Sequence, residues 1–101
     1  MGRIGMAVVR GRSMLPTLRD GDRLLVRYDA APRPGSLVLV RFPDRPVAVK
    51  RLRRREPDGG WWVERDNPDE GVDSWSLGAV PPSDLLAVVI ARLWPNPRHN
   101  L

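Results

Sequence analysis

The sequence predicts a mainly β fold: a small, bent antiparallel β-sheet or partly open barrel, with at most one short helical turn, near Ser13. Three observations favour this fold. The chain has 101 residues, which suits a single domain over residues 1–101. Turn-forming combinations recur at short intervals, as in RDGD (19–22) and EPDGG (56–60). The runs between them are short and rich in valine, leucine and isoleucine, which is typical of small antiparallel β structures.

Taken in order, six runs are predicted to be strands, because each is short, apolar and bounded by turn signals. They are MAVV (6–9), DRLLVRY (22–28), SLVLVRF (36–42), PVAVKRLRR (46–54), GWWVER (60–65) and LLAVVIARL (85–93). The last run follows a Ser-Asp pair that could start a helix, but its Val-Val-Ile centre favours a strand. Only residues 13–18 are predicted to form a helical turn. Residues 94–101 are predicted to be a flexible tail, with Trp94 packed as a plug on the core.

Composition excludes several kinds of chemistry. The chain has no cysteine, so disulfides, thiolate catalysis and sulfur-ligated metals are ruled out. Its one histidine, His99, lies in the predicted tail, which disfavours a histidine triad or a metal site. No apolar run has the roughly 18 residues that a membrane span needs, and residues 1–12 do not resemble a secretory signal. We therefore expect a cytoplasmic protein that needs no cofactor or metal.

The net charge is +5, and four arginines cluster at Arg51, Arg53, Arg54 and Arg55. Such a cluster could bind nucleic acid, although a charged run is more often a solvated face. Trp61 and Trp62 are adjacent, so on a strand they point to opposite faces and form a poor platform for stacking bases. A basic β-module that binds nucleic acid therefore stays an alternative, and we expect no specific nucleic-acid partner.

Ser13 lies in the stretch GRSMLPT (11–17), where Pro16 stiffens the chain and Gly11 permits unusual backbone conformations. A nucleophile needs a fixed side chain near backbone N–H groups that can face an oxyanion. A serine in a turn can also serve as a cap that satisfies one N–H group. On these residues alone the turn role is favoured, and the nucleophile role stays open.

Lys50 is the only lysine, because the other 16 basic residues are arginines. Arginine cannot give up its proton at working pH, so Lys50 is the one basic side chain near the strands that could act as a general base. On a strand it shares a face with Ala48 and Leu52, and an apolar setting lowers the pKa of an amine. The alternative is a lysine whose amine reaches water.

The stretch ERDNPDEGVDSW (64–75) is dense in turn-forming residues. Its acids Asp66 and Asp73 flank Asn67 and Ser74, which predicts a loop fixed by bonds from side chains to backbone. Asp73 or Ser74 could also orient Lys50, and the sequence does not decide between the two roles.

Three segments in this order resemble the serine–lysine peptidases of the bacterial signal-peptidase type: SMLPTLRDGDRLLV (13–26), VAVKRL (47–52) and DNPDEGVDS (66–74). The chain is also similar, more distantly, to the self-cleaving domain of LexA-like repressors. The resemblance covers about residues 7–93. It implies a bent, mostly antiparallel β fold.

The resemblance also implies roles for single residues. Ser13 matches the nucleophile of the family and Lys50 its general base, while the Ser13 N–H would form part of the oxyanion hole. Asp73 and Ser74, with Asp66 and Asn67, match the loop that supports the pair. The substrate would add as a strand beside residues 7–11, and its binding residues would be Val8, Val9, Gly11 and Met14. Where many signal peptidases have a serine near the catalytic lysine, this chain has Gly71.

Within this family the chain looks most similar to the nickel-type superoxide dismutase maturation proteases, on the stretch GGWWVERDNPDEGVDS (59–74). That similarity implies an endopeptidase that removes a short N-terminal extension from a superoxide dismutase precursor. The nickel would be bound by the processed substrate. Processing of other pre-proteins, as by signal peptidases, is the nearest alternative.

Overall fold

The computed structural model describes residues 3–101 and contains six strands, one short α-helix and one 3₁₀ turn. The strands are β1 (Ile4–Val8), β2 (Arg23–Arg27), β3 (Leu37–Val40), β4 (Ala48–Arg55), β5 (Trp61–Glu64) and β6 (Leu85–Trp94). They form one open sheet in the order β1-β2-β6-β3-β4-β5, in which all neighbours are antiparallel. The prediction of a mainly β fold is confirmed, and each predicted run overlaps one strand.

The sheet combines a hairpin, a three-stranded meander and one strand that joins them. β1 and β2 form the hairpin, β3 to β5 form the meander, and β6 inserts between β2 and β3. In the meander, Lys50 of β4 lies directly opposite Val38 of β3. Directly opposed residues of antiparallel strands share a face of the sheet, so Lys50 and Val38 lie on the same face.

The core consists of two clusters of buried apolar side chains, and β3 contributes to both. The first cluster comprises Val9, Met14, Leu18, Leu24, Val26, Leu37, Leu39, Val49 and Ala87. The second cluster comprises Val38, Val40, Phe42, Leu52, Val63 and Val80. Successive residues of a strand point to opposite faces, which explains why β3 alternates between the clusters and is buried along its whole length.

At residues 13–18 the chain forms one helical turn, as predicted: the Leu18 N–H donates to the Met14 carbonyl at 2.9 Å, and no longer helix follows. Pro16 offers no N–H and disfavours the helical conformation of Leu15, so a regular helix cannot form there. The α-helix is α1, Ser74–Leu77, which begins where the Asp73 carboxylate accepts a hydrogen bond from the Trp75 N–H. A 3₁₀ turn, Pro82–Asp84, leads into β6.

The prediction that Trp94 plugs the core is wrong. Its side chain is 57% exposed, and it packs instead under the guanidinium of Arg23, 5.2 Å from the ring centre. Residues beyond β6 fold back on the domain, because Arg92 and Arg98 exchange backbone hydrogen bonds and Leu101 packs against the first cluster. None of the helices in residues 3–101 is long and apolar enough to cross a membrane.

Candidate active site

Ser13 and Lys50, 37 residues apart in sequence, are in direct hydrogen-bond contact. The Lys50 Nζ donates to the Ser13 Oγ at 2.9 Å. Ser13 lies in the turn that follows β1, whereas Lys50 lies near the start of β4. The distance is suitable for proton transfer between the hydroxyl and the amine.

The Lys50 amine is in an unusual environment for a lysine, since the residue is only 3% exposed. Ala48 and Leu52 share its face of β4, as the sequence analysis expected, and Val38 lies across from it. Burial lowers the pKa of the Lys50 amine below its ordinary value of 10.5. The negative charge of Asp73 opposes this shift, and the positive charges of Arg65 and Arg45 reinforce it. The setting therefore raises the share of neutral amine, the form that can accept a proton.

The Ser13 turn is fixed from two sides. Below it, Met14 and Leu18 are buried in the first cluster. Beside it, the Asn67 N–H donates to the Ser13 carbonyl at 2.9 Å, and the Asn67 Nδ2 donates to the Arg12 carbonyl at 2.8 Å. Asn67 thus holds the main chain on both sides of the Ser13 peptide nitrogen, which leaves the Oγ little freedom to move.

Asp66 connects the Ser13 turn to β4. Its carboxylate accepts a hydrogen bond from the Thr17 hydroxyl at 2.6 Å and two from the Arg51 guanidinium, at 3.2 and 2.7 Å. Burial alone would raise the pKa of Asp66, but the hydrogen bonds from Arg51 and Thr17 outweigh it and lower that pKa. Because Arg51 follows Lys50, this network fixes the Ser13 turn relative to Lys50.

Asp73 and Ser74 are both buried, and their side chains accept hydrogen bonds from nearby backbone N–H groups. The Asp73 carboxylate accepts from the backbone N–H groups of Arg65 and Trp75 at 3.0 Å, and the Ser74 Oγ accepts from the Val63 N–H at 2.9 Å. The sequence left open whether Asp73 and Ser74 fix the loop or orient Lys50. These contacts are with the backbone, so they fix the loop. The influence of Asp73 on Lys50 is through its charge.

Gly71 approaches Ser13 closely, which the sequence did not reveal. A Cβ atom at this position would lie 2.5 Å from the Ser13 Cβ, and the backbone φ of +102° disfavours any other residue. The sequence showed only that Gly71 replaces a serine of the resembling family. The close approach depends on how the loop packs on the turn, which no local pattern reports.

Two backbone N–H groups at the Ser13 turn, those of Gly11 and Ser13, differ in whether they are free to donate a hydrogen bond to an oxyanion. The Gly11 N–H is engaged, because it donates to the Asp20 carboxylate at 2.7 Å. Within the described residues, the Ser13 N–H has no hydrogen-bond acceptor. Of these two groups, the Ser13 N–H is therefore the one available to a developing negative charge.

A cleft of about 270 Å³ opens beside the Ser13 and Lys50 side chains. Gly11 lines it, and Val8, Val9 and Met14 line a narrow side pocket that also contacts Ser13. Val9 and Met14 are nearly fully buried, so they form the floor rather than an open wall. A second wall of the cleft was missed from the sequence and comprises Phe42, Arg45, Pro46, Val47 and Ala48. It could have been identified because the run FPDRPVAVK (42–50) leads directly into Lys50.

The arginine cluster on β4 is engaged in contacts within the molecule. Arg53 pairs with Glu64 at 2.7 Å, while Arg54 and Arg55 each lie 4.7 Å above a tryptophan ring, Trp62 and Trp61 respectively. Each of these three guanidinium groups therefore has a partner within the molecule.

Comparison with known proteins agrees with this geometry. The model of the Peptidase S24-like family matches residues 2–77. Mitochondrial inner membrane protease subunit 1 of Xenopus tropicalis is 29% identical over an alignment 118 residues long. The alignment covers 91% of this chain and 71% of that protein. The subunit 1 of Schizosaccharomyces pombe is also 29% identical, over 86% of this chain and 71% of its own. The family match spans the Ser13 turn, Lys50 and the loop that supports them, and the chain belongs to the Peptidase S24-like family.

Proposed function

We propose that the protein is a serine endopeptidase in which Ser13 is the nucleophile and Lys50 the general base. The single observation that carries this proposal is the 2.9 Å contact between the Ser13 hydroxyl and a buried amine of lowered pKa. Burial of an amine favours its neutral form, and the neutral form is the one that a general base needs near working pH. Membership of a peptidase family supports the same chemistry.

The mechanism uses the groups in the order in which they contact one another. When the amine is neutral, the Ser13 O–H donates to the Lys50 Nζ, and the hydroxyl loses its proton as Oγ attacks the scissile carbonyl. The carbonyl oxygen becomes negative and accepts a hydrogen bond from the Ser13 N–H. Lys50 passes its proton to the leaving amine, which leaves an acyl-enzyme on Ser13. The neutral amine then takes a proton from water, whose oxygen attacks the ester carbonyl. As the bond to Ser13 breaks, Lys50 returns this proton to the Ser13 Oγ, which releases the acid product and restores the hydroxyl and the neutral amine.

The cleft between residues 8–13 and 45–50 suits an extended peptide, since both walls are backbone segments that lead into a site residue. We propose that the substrate is a precursor protein from which a short N-terminal extension is removed. The narrower candidate, a nickel-type superoxide dismutase precursor, rests on the sequence motifs alone. The relatives found here are mitochondrial inner membrane protease subunits, so other precursor proteins are the second class to test.

The test is to incubate the protein with a nickel superoxide dismutase precursor and, in parallel, with a precursor that carries a signal peptide. The new N-terminus of each product is then sequenced. We expect one defined cleavage by the wild type and none by Ser13→Ala, with both proteins equally folded by circular dichroism. Cleavage by Ser13→Ala at the wild-type rate would rule out the assignment of the nucleophile. Cleavage of only the second precursor would replace the nickel superoxide dismutase substrate and leave the chemistry in place.

A further inference from the structure

The cleft beside Ser13 has an excess of positive charge. Arg10, Arg12 and Arg45 line it, and Glu70 is the only acidic residue among its lining residues. Glu70 pairs with Arg12, whose Nε lies 3.4 Å from the carboxylate. The charges of Arg10 and Arg45 are left without a compensating acid in the cleft.

The lack of partners sets Arg10 and Arg45 apart from most arginines of this chain. Within the described residues, neither side chain makes an ion pair, a hydrogen bond or a contact with an aromatic ring. Two other arginines, Arg19 and Arg33, share this property, but they lie outside the cleft. The arginines with partners are Arg3, Arg12, Arg23, Arg27, Arg41, Arg51, Arg53, Arg54, Arg55, Arg65, Arg92 and Arg98.

The two free arginines come from different walls of the cleft. Arg10 extends from the segment that joins β1 to Ser13, and Arg45 belongs to the connection between β3 and β4. An apolar surface formed by Phe42, Val47 and Val72 also lines the cleft. A peptide that occupies the cleft therefore lies in a site lined by two guanidinium groups without partners and by apolar side chains.

We propose that Arg10 and Arg45 select substrates with an aspartate or glutamate close to the scissile bond, next to an apolar residue that packs on this surface. The inference rests on the proposed peptidase function and defines its substrate class. Arg10 precedes Ser13 by three residues, and an extended chain rises about 3.3 Å per residue. An acidic side chain within about three residues of the scissile bond is thus within reach of the arginines. Guanidinium groups bind carboxylates with two parallel hydrogen bonds, which a neutral amide does not match.

The experiment compares acids with their neutral isosteres. A library of peptides from a digested proteome is incubated with the wild type and with Ser13→Ala, and peptides cut only by the wild type are identified. One cut peptide with an acid near the scissile bond is then synthesised in two forms, with the acid or with the matching amide. The ratio of kcat/KM for acid over amide is measured in the wild type, in R10Q/R45Q and in the control R19Q/R33Q.

We expect enrichment of aspartate and glutamate near the cut sites and a ratio of about ten in the wild type. The ratio falls to near one in R10Q/R45Q and stays near ten in R19Q/R33Q. Because Arg45 also acts on the Lys50 amine, either rate can change in the double variant, but that effect is common to both peptides and cancels in the ratio. Cut sites without acid enrichment, or an unchanged ratio in R10Q/R45Q, would overturn this inference alone. Absence of any cleavage beyond the Ser13→Ala background would overturn the proposed function, and this inference with it.

Discussion

Ser13 lies on a turn whose position depends on distant loops, whereas Lys50 lies within a strand paired on both sides. The turn has no regular hydrogen-bond ladder and is held by Asn67 and by burial of Met14. The Lys50 side chain points to one face of the sheet because successive residues of β4 alternate between the faces, and Val38 lies opposite it on the same face. The two partners of the 2.9 Å contact are therefore positioned by different kinds of structure.

Because the two residues are held differently, a substitution can affect Ser13 without affecting Lys50, or the reverse. A change at Asn67 or Gly71 should displace Ser13 and leave the environment of the amine largely intact. A change at Lys50 itself removes the base and leaves the turn in place. The predictions below separate the two regions, from the largest expected effect to the smallest.

Replacing the base should have the largest effect. We expect Lys50→Met to lose about 10²- to 10⁴-fold in kcat/KM, because the thioether cannot accept the Ser13 proton. Met fills a similar volume and carries no charge, so the variant should be at least as stable as the wild type. Peptidase assays with thermal unfolding as control measure both effects. A Lys50→Met variant with wild-type activity would show that Lys50 is structural.

A side chain at Gly71 should displace the nucleophile. In Gly71→Ala the new Cβ would lie 2.5 Å from the Ser13 Cβ, so the turn must shift, and a shift of about 1 Å costs about 10²-fold in rate. The matched control is Gly78→Ala, which has a similar positive φ of +85° but nothing within 4 Å. Both variants should lose about 1–3 kcal/mol of unfolding free energy from backbone strain. Only Gly71→Ala should lose activity, and equal losses in both would contradict the steric account.

The Asp66 network should contribute mainly to stability. We expect Asp66→Asn to lose about 1–3 kcal/mol of unfolding free energy, because it weakens the hydrogen bonds from Arg51 and Thr17. The control is Glu56→Gln, which removes the exposed pair with Arg54 and should cost less than about 1 kcal/mol. Denaturant unfolding of both variants gives the comparison.

The contribution of Asp66 to the free energy of unfolding depends on pH, because folding lowers the pKa of this residue. The pKa of Asp66 is lower in the folded protein than its ordinary value of 3.8. Its contribution is therefore present above pH 3.8 and is lost as the pH falls through the folded value. In Asp66→Asn this part of the acid destabilisation should be absent; an unchanged acid profile would show that Asp66 does not supply it.

The sequence predicted the features that depend on local chemistry. Short apolar runs bounded by turn signals located all the strands, and a lone lysine on an apolar face identified the residue that contacts Ser13. The missed features depend on how distant segments pack: the contact of Gly71 with Ser13, the wall that includes Arg45, and the exposure of Trp94. The helical turn expected at residues 13–18 is also a local feature, and one hydrogen bond from the Leu18 N–H to the Met14 carbonyl closes it.

The most direct test of the Ser13–Lys50 pair needs no natural substrate. A small activated ester is used as an acylating probe, and the rate of modification is followed by mass spectrometry across pH in the wild type and in Lys50→Met. We predict an adduct on Ser13 whose rate rises with pH to a plateau, with a midpoint below 10.5, because the neutral amine is the active form. In Lys50→Met the rate should be low and without that rise. A rate at Ser13 that is the same in both proteins, or that does not change with pH, would contradict the account.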